Sequence, residues 1–434
     1  KELTDFASSS VELEHDVAKI IQQQVTNGWL LDRPKARDLV AELQEKSYSL
    51  EEEVQRVFIP LPTFVKEVTP KVKKDGNIST VGLKFLGDAW TNVGGPFSRI
   101  DWPIFNLGSR QQIGRYLKHF GWKPKTFTET GHAIVSEEIL KNVKGIPEAE
   151  LIASYLLVGK RVAQVRSWLE SAKEDTGRVH GYVNTNGAVT GRMTHSKPNV
   201  AQVPSSGSLY GPECRGCWIV AKGYKLVGID ASGLELRMLA HFMDDADYTN
   251  TILTGDIHTA NQIAAGLDTR PQAKTFIYAY LYGAGDEKIG SIVGGGRAVG
   301  KKLKAQFLAA TPALAKLKDN VAQSAAKGYI TGLDGRKVFI RSEHAALNSL
   351  LQSAGAIIMK QALIILDRYA ILWGIDYKFV GNIHDEFQVE VRADQADKFG
   401  RLATDCIVAA GLHYNLRCPL AGDYKVGDSW AETH

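Results

Sequence analysis

The sequence predicts an α+β fold, and three observations carry that prediction. Residues 1–57 and 107–178 hold apolar stripes at helical spacing. Tyr329–Ile340 and Tyr377–Val391 alternate apolar residues around tight turns, as β-hairpins do. Between them, Tyr224–Ile229 reads as a short buried strand that passes within a few residues into a helix carrying Leu234, Met238 and Leu239. At 434 residues, 44% hydrophobic and 23% charged, the chain has material for two to three globular domains, or one large multi-lobed one, with a sizeable core. The net charge of +4 and pI of about 8.6 fit a nucleic-acid partner without requiring one. No apolar run approaches the ~20 residues that cross a bilayer, so no membrane helix is expected. Of the cysteines, Cys214 and Cys217 form a CxxC pair with no second pair and no His-x3-His after it; reduced thiols are expected there in preference to zinc. The first residue is Lys rather than Met, as in a piece of a longer protein.

The elements follow in order. Val11, Leu13, Val17, Ile20, Ile21 and Val25 form a helical stripe that Asn27-Gly28 ends. Asp32 and Pro34 open a second helix through Leu39 and Leu43, continuing after a break to Val54 and Val57. From Phe58 to Asn106, five prolines, the basic run Lys71-Val-Lys73-Lys74 and, after Phe58 itself, six Phe and Trp residues predict an ordered, loop-rich insertion with short strands. DNA binding, a protein partner and simple packing all suit it. Helices return at Arg110–His119 and within Pro147–Lys173, where Lys160, Arg161 and Arg166 offer either phosphate contacts or surface charge.

Val179–Pro204 is rich in hydroxyl and amide groups, with Arg192 between Thr190 and Thr194. It reads as a polar hairpin or as an anion contact. In Thr269–Gly285, Arg270, Lys274, Tyr278 and Tyr282 recur every four residues on one helical face. Two cations followed by two aromatics can grip a triphosphate and stack on a sugar or base. Gly295-x4-Gly300-Lys301 mimics a phosphate loop but is followed by Lys302, not Ser or Thr, so a flexible turn before a basic helix Lys301–Leu308 is expected. A helix Glu343–Leu366 then places Asn348 and Gln352 on one face.

Asp230 closes the Tyr224–Ile229 strand, where a carboxylate suits a metal ion as well as a helix start. His384-Asp385-Glu386 lies in the tight turn of the last hairpin. Two carboxylates at strand ends with a basic-aromatic helix between them form the arrangement that two-metal phosphoryl transfer needs.

These segments resemble the DNA polymerase I family, family A. Asp230-Ala-Ser-Gly-Leu-Glu-Leu-Arg237 is similar to its motif A, in the phage form rather than the bacterial one. Arg270-x3-Lys274-x3-Tyr278-x4-Gly283 is similar to motif B, and His384-Asp-Glu386 to motif C. The resemblance spans nearly the whole chain, weakest at residues 58–106. It implies a right hand with a helical thumb (1–178), an antiparallel-sheet palm (179–242 and 348–434) and helical fingers (243–347), adding dNTPs to a primer 3′-OH with two Mg²⁺ ions. By matching position, Asp230, Asp385 and the Ala231 carbonyl are expected metal ligands, and Asp230, Asp385, Lys274 and Glu386 catalytic. His258, Arg270 and Lys274 are expected on the triphosphate, Tyr278 near the deoxyribose, Tyr282 near the templating base, and Glu235 as the gate against a 2′-OH. Arg192, Asn348 and Gln352 are expected in the minor groove of the primer-template, with His384 and Glu386 near the primer terminus. The resemblance further implies a core without the proofreading exonuclease, a processivity or replisome partner at residues 58–106 (thioredoxin being doubtful), and a cytoplasmic location, the host's if phage-encoded. A single-subunit RNA polymerase is disfavoured by Glu235. A silent DNA-binding protein does not need paired carboxylates, and a phosphohydrolase would want further His ligands.

Overall fold

The structure is a computed structural model that describes residues 7–340 and 342–434; the first six residues of the expected helical start lie outside it. The chain divides into two compact units, residues 1–39 with 165–434 and residues 40–164, the divisions falling inside the helices Arg33–Val57 and Pro147–Ser171.

The larger unit is built on a four-stranded antiparallel sheet. Its order is Tyr377–Ile383, Glu386–Arg392, Tyr224–Ala231, Gly422–Gly427. Glu386–Arg392 is buried up to its last residue and Tyr224–Ala231 through Leu226–Ile229, because both sheet faces are covered there, while Asp230 is exposed at the strand's end. The helix Ala396–His413 packs on Tyr224–Ala231 and Gly422–Gly427, and the helix Ser8–Asn27 packs on Tyr377–Ile383. Leu13, Val17, Ile20 and Ile21 of that first helix join the main core, although the sequence expectation groups them with the thumb. Gly228 sits where a Cβ would lie 2.4 Å from the Thr433 carbonyl oxygen, so only glycine lets the last residues cross the central strand. Trp168, Trp218, Trp29 and Trp430 pack in series, tilted or edge-on, with ring centroids 4.8–5.3 Å apart.

The smaller unit has its own core of Val54, Phe58, Phe105, Leu107, Ile113, Tyr116, Leu117 and neighbours. The Tyr116 hydroxyl ties the start of the insertion by donating to the Ile59 carbonyl at 2.6 Å. The insertion is ordered, as expected. An antiparallel ribbon pairs Thr63–Val68 with Phe97–Asp101, and a short 3₁₀ segment spans Lys84–Asn92.

Several expectations are corrected. Arg33–Val57 is one uninterrupted helix, because buried Leu50 carries the apolar stripe from Leu43 to Val54 and no Gly or Pro lies between them to stop the backbone. Arg161 is buried against Gln164 and offers no surface charge. The basic helix begins at Arg297, so the glycine turn is shorter than predicted. The long helix runs Ala346–Leu372. It is apolar enough to cross a membrane by composition, contrary to the expectation of no such run, yet most of it is buried inside the protein as a core helix.

Candidate active site

Asp230 belongs to the strand itself; the following helix, Leu234–Met243, is capped by Gly233 in the left-handed region with no side-chain cap. The helix-start reading of Asp230 is thereby removed. The sheet register sets Asp230 opposite Glu386 on one side and opposite Asp423 on the other. The Ala231 N–H donates to the Asp385 carbonyl at 3.1 Å, fastening the motif A strand to the turn of the last hairpin. That turn has two residues only, His384 and Asp385. His384 takes φ +59°, the left-handed conformation that a two-residue hairpin loop demands.

Acidic groups therefore converge from three adjacent strands. Crowding by surrounding protein and then the charges of Asp385 and Glu386 push the Asp230 carboxyl up to about 7. Among the described residues neither Asp230 nor Asp385 receives a side-chain hydrogen bond or ion pair. No three His, Cys, Asp or Glu side chains converge on a metal position among those residues. A hard divalent cation that takes one or two carboxylates and completes its shell with substrate phosphates and water fits such a pair.

Glu386 is the first residue of its strand, not part of the turn, and is only 4% exposed. Its carboxylate accepts from Trp430 Nε1 at 2.7 Å and Gln388 Nε2 at 2.5 Å, and pairs with His434 Nδ1 at 2.9 Å. Burial opposes its charge, but His434, Gln388 and the Arg215 guanidinium hold it below the usual carboxylate range. The side chain is thus occupied on the inner side of the sheet, while His384 is exposed beside Arg192 and Asn382 at one small cavity.

The helix Arg270–Leu281 starts from a capping box between Thr269 and Gln272. It buries Ala273, Phe276, Ile277, Tyr280 and Leu281, leaving Arg270, Lys274, Tyr278 and Tyr282 on the open face that their spacing predicts. His258, from the neighbouring helix Ile257–Ala265, lies with its ring 6.2 Å from that of Tyr278. Burial first, then Arg270 and Lys274, lower the His258 pKa. Tyr278 feels Glu235, Asp385 and Asp230, which with burial raise its hydroxyl. Cations, aromatics and carboxylates thus share one field.

Glu235 accepts from the Tyr282 hydroxyl at 2.8 and 2.9 Å and pairs with Arg192 at 3.3 Å. Three residues expected on sugar, template and minor groove are one network. Asn348 and Gln352 lie half-exposed on the mostly buried first half of the Ala346–Leu372 helix, with no hydrogen bond to other described residues. Residues the sequence reading passed over include Asp423, Trp430, His434 and Asp256. Only Asp256 carried a signal: an Asp at the cap position before Ile257.

A profile of DNA polymerase family A matches residues 97–432. The DNA-directed DNA polymerase of Escherichia phage T7 is 39% identical over 99% of this chain and 71% of its own length. The chain belongs to DNA polymerase family A. The DNA polymerase of Enterobacteria phage T3 matches equally, at 39% identity over 99% of the chain and 71% of that protein. DNA polymerase I of Pseudomonas aeruginosa is 28% identical over 83% of the chain and 42% of its own length. The polymerase domain of Pol1 from M. smegmatis, solved with DNA primer-template and dNTP, has the same fold at a TM-score of 0.80 and 21% identity, covering 96% of this chain and 70% of that one. The α+β right-hand class is therefore the fold of this polymerase. As a family A polymerase it is a nucleotidyltransferase that works with divalent metal.

Proposed function

We propose that this polymerase extends a primer 3′-OH on a DNA template, with Asp230, Asp385 and the Ala231 carbonyl holding two Mg²⁺ ions. The observation that carries the reading is the register at the sheet end: Asp230 is paired in line with the residue after Asp385, and the Ala231 N–H is bonded to the Asp385 carbonyl at 3.1 Å. Bound there, the ions would lower the pKa of the attacking hydroxyl and offset charge on the triphosphate. The protein's own part is placement and electrostatics. Arg270, Lys274 and His258 bind the triphosphate, and Lys274, on the same face as Tyr278, offsets charge developing on the phosphates.

Tyr278 supports the sugar and Tyr282 the templating base. Glu235, held between Tyr282 and Arg192, excludes a 2′-OH by filling its space. Arg192, Asn348, Gln352 and His384 reach the primer-template end, Arg192 dividing its donors between Glu235 and the groove. Glu386 acts from beside Asp230, bracing the motif C strand through Trp430 and His434. Residues 58–106 supply a docking surface for a processivity or replisome partner; Phe64, Ile100 and Trp102 are more than half exposed on or beside the ribbon. We place the activity in the cytoplasm, that of the host for a phage-encoded enzyme.

Single-nucleotide primer extension with Mg²⁺ tests this. Asp230→Ala and Asp385→Ala are expected to abolish addition while primer-template binding persists. Extension surviving both would refute the assignment. Preferential incorporation of rNTPs would refute the role of Glu235.

A further inference from the structure

Arg270 is not a loose surface cation. Its Nε and Nη2 form a fork on the Asp256 carboxylate, at 2.5 and 3.2 Å. That carboxylate is itself held by two further donors, the His258 backbone N–H at 3.0 Å and the Thr259 hydroxyl at 2.8 Å. Arg270 sits in the first turn of a helix whose start the Thr269–Gln272 box fixes, and Asp256 caps the neighbouring helix, so both partners of the pair project from defined helix starts. The Nη1 group makes no protein hydrogen bond among the described residues. A guanidinium has a second planar edge, Nη1 with Nη2, which can take an anion while the first edge is occupied.

We propose that Asp256 is a positioning residue for the incoming nucleotide: it holds the Nε edge of Arg270 so that the Nη1 edge is pre-oriented for the triphosphate. This rests on the reading that Arg270 contacts the triphosphate. Stability alone does not account for the pair. Its partners are 53% and 40% exposed, and ion pairs so exposed add little to folding. The same carboxylate caps the helix that carries His258, so one side chain sets the place of two of the three expected triphosphate ligands. Asp256 also brings a negative charge toward a polyanion, which opposes binding. Its net effect on nucleotide affinity therefore has a sign that experiment can read.

Asp256→Asn keeps a good helix cap and removes the charge-assisted fork. In single-nucleotide addition on a primer-template with Mg²⁺, it is expected to raise the KM for dNTP about three- to tenfold, the cost of ordering one long side chain on binding, with kcat changed less than about twofold. Arg270→Ala is expected to raise KM further, and the double variant to match Arg270→Ala alone, because Asp256 acts through Arg270. An unchanged or lowered KM in Asp256→Asn, or additive losses in the double variant, overturns the proposal while leaving the triphosphate reading intact. An Arg270→Ala enzyme with ordinary KM and kcat overturns both.

Discussion

Between the Ser8–Asn27 helix and the Ala346–Leu372 helix, Glu14 accepts from Lys360 at 2.6 and 2.8 Å and from Arg336 at 2.6 Å, and Arg336 also forks onto buried Asp334. At the end of the sheet, Asp230 and Asp385 gather with Glu386 and Asp423, and the carboxylates of the two aspartates have no donor among the described residues. The same unit thus treats charge in two ways. Where a charge serves the fold, as with Lys360 at 2% exposure, it is matched by opposite charge. Where like charges are left together and unmatched, the fold carries a repulsion that a bound cation relieves. Completeness of pairing separates the structural cluster from the catalytic one.

The comparison can be broken at several points. Removing an unmatched carboxylate should cost activity and not stability: Asp385→Ala is expected to slow nucleotide addition by on the order of a thousandfold or more, with a melting temperature equal to or above that of the parent. A large drop in melting temperature would place Asp385 with the structural charges. Removing a matched one should do the reverse. Glu14→Ala leaves Lys360 buried without its carboxylate and is expected to lower unfolding free energy by about 3–5 kcal/mol, measured by urea titration, with primer extension per folded molecule little changed.

His195 gives a smaller, pH-dependent case. Burial, and next the nearby His384, lower it to about 4, and neither ring nitrogen has a hydrogen-bond partner among the described residues. The unfolded chain therefore binds its proton first, and stability is lost as pH falls from about 6.5 through 4. His195→Gln should flatten the pH dependence of unfolding over that window by no more than about 3 kcal/mol; parallel curves for the two proteins would show that His195 is solvated. Least disruptive is the insertion. Val68 and Phe97 are register partners, so an Asn-Gly turn can replace residues 69–96. Single-nucleotide addition should stay within about twofold while processivity with its partner falls; equal losses in both would make the segment structural.

Much of this arrangement was legible in the sequence, for reasons that differ by element. The Arg270–Leu281 helix was read to its face because capping, a four-residue spacing and a terminal glycine agree. The strand carrying Asp230 and the hairpin around Asp385 were legible from alternation. Their mutual register was not, because pairing between distant segments leaves no local pattern. Glu386 was misplaced into the turn for a related reason. A motif read as three consecutive residues does not show that the third already faces the interior, against Trp430 and His434. The Arg270–Asp256 fork was hidden in the same way, joining two helices whose contact only the fold decides.

The two-residue turn at His384-Asp385 makes the last hairpin a ruler. Asp385 cannot advance or retreat along the sheet by itself; one residue added to the loop must be taken up by a longer turn or by a slip of the Tyr377–Ile383 pairing, and either one moves Asp385 against Asp230. Residue identity at this corner can be varied by mutagenesis, but its length cannot. Libraries that insert or delete here should yield folded but inactive protein rather than altered catalysts.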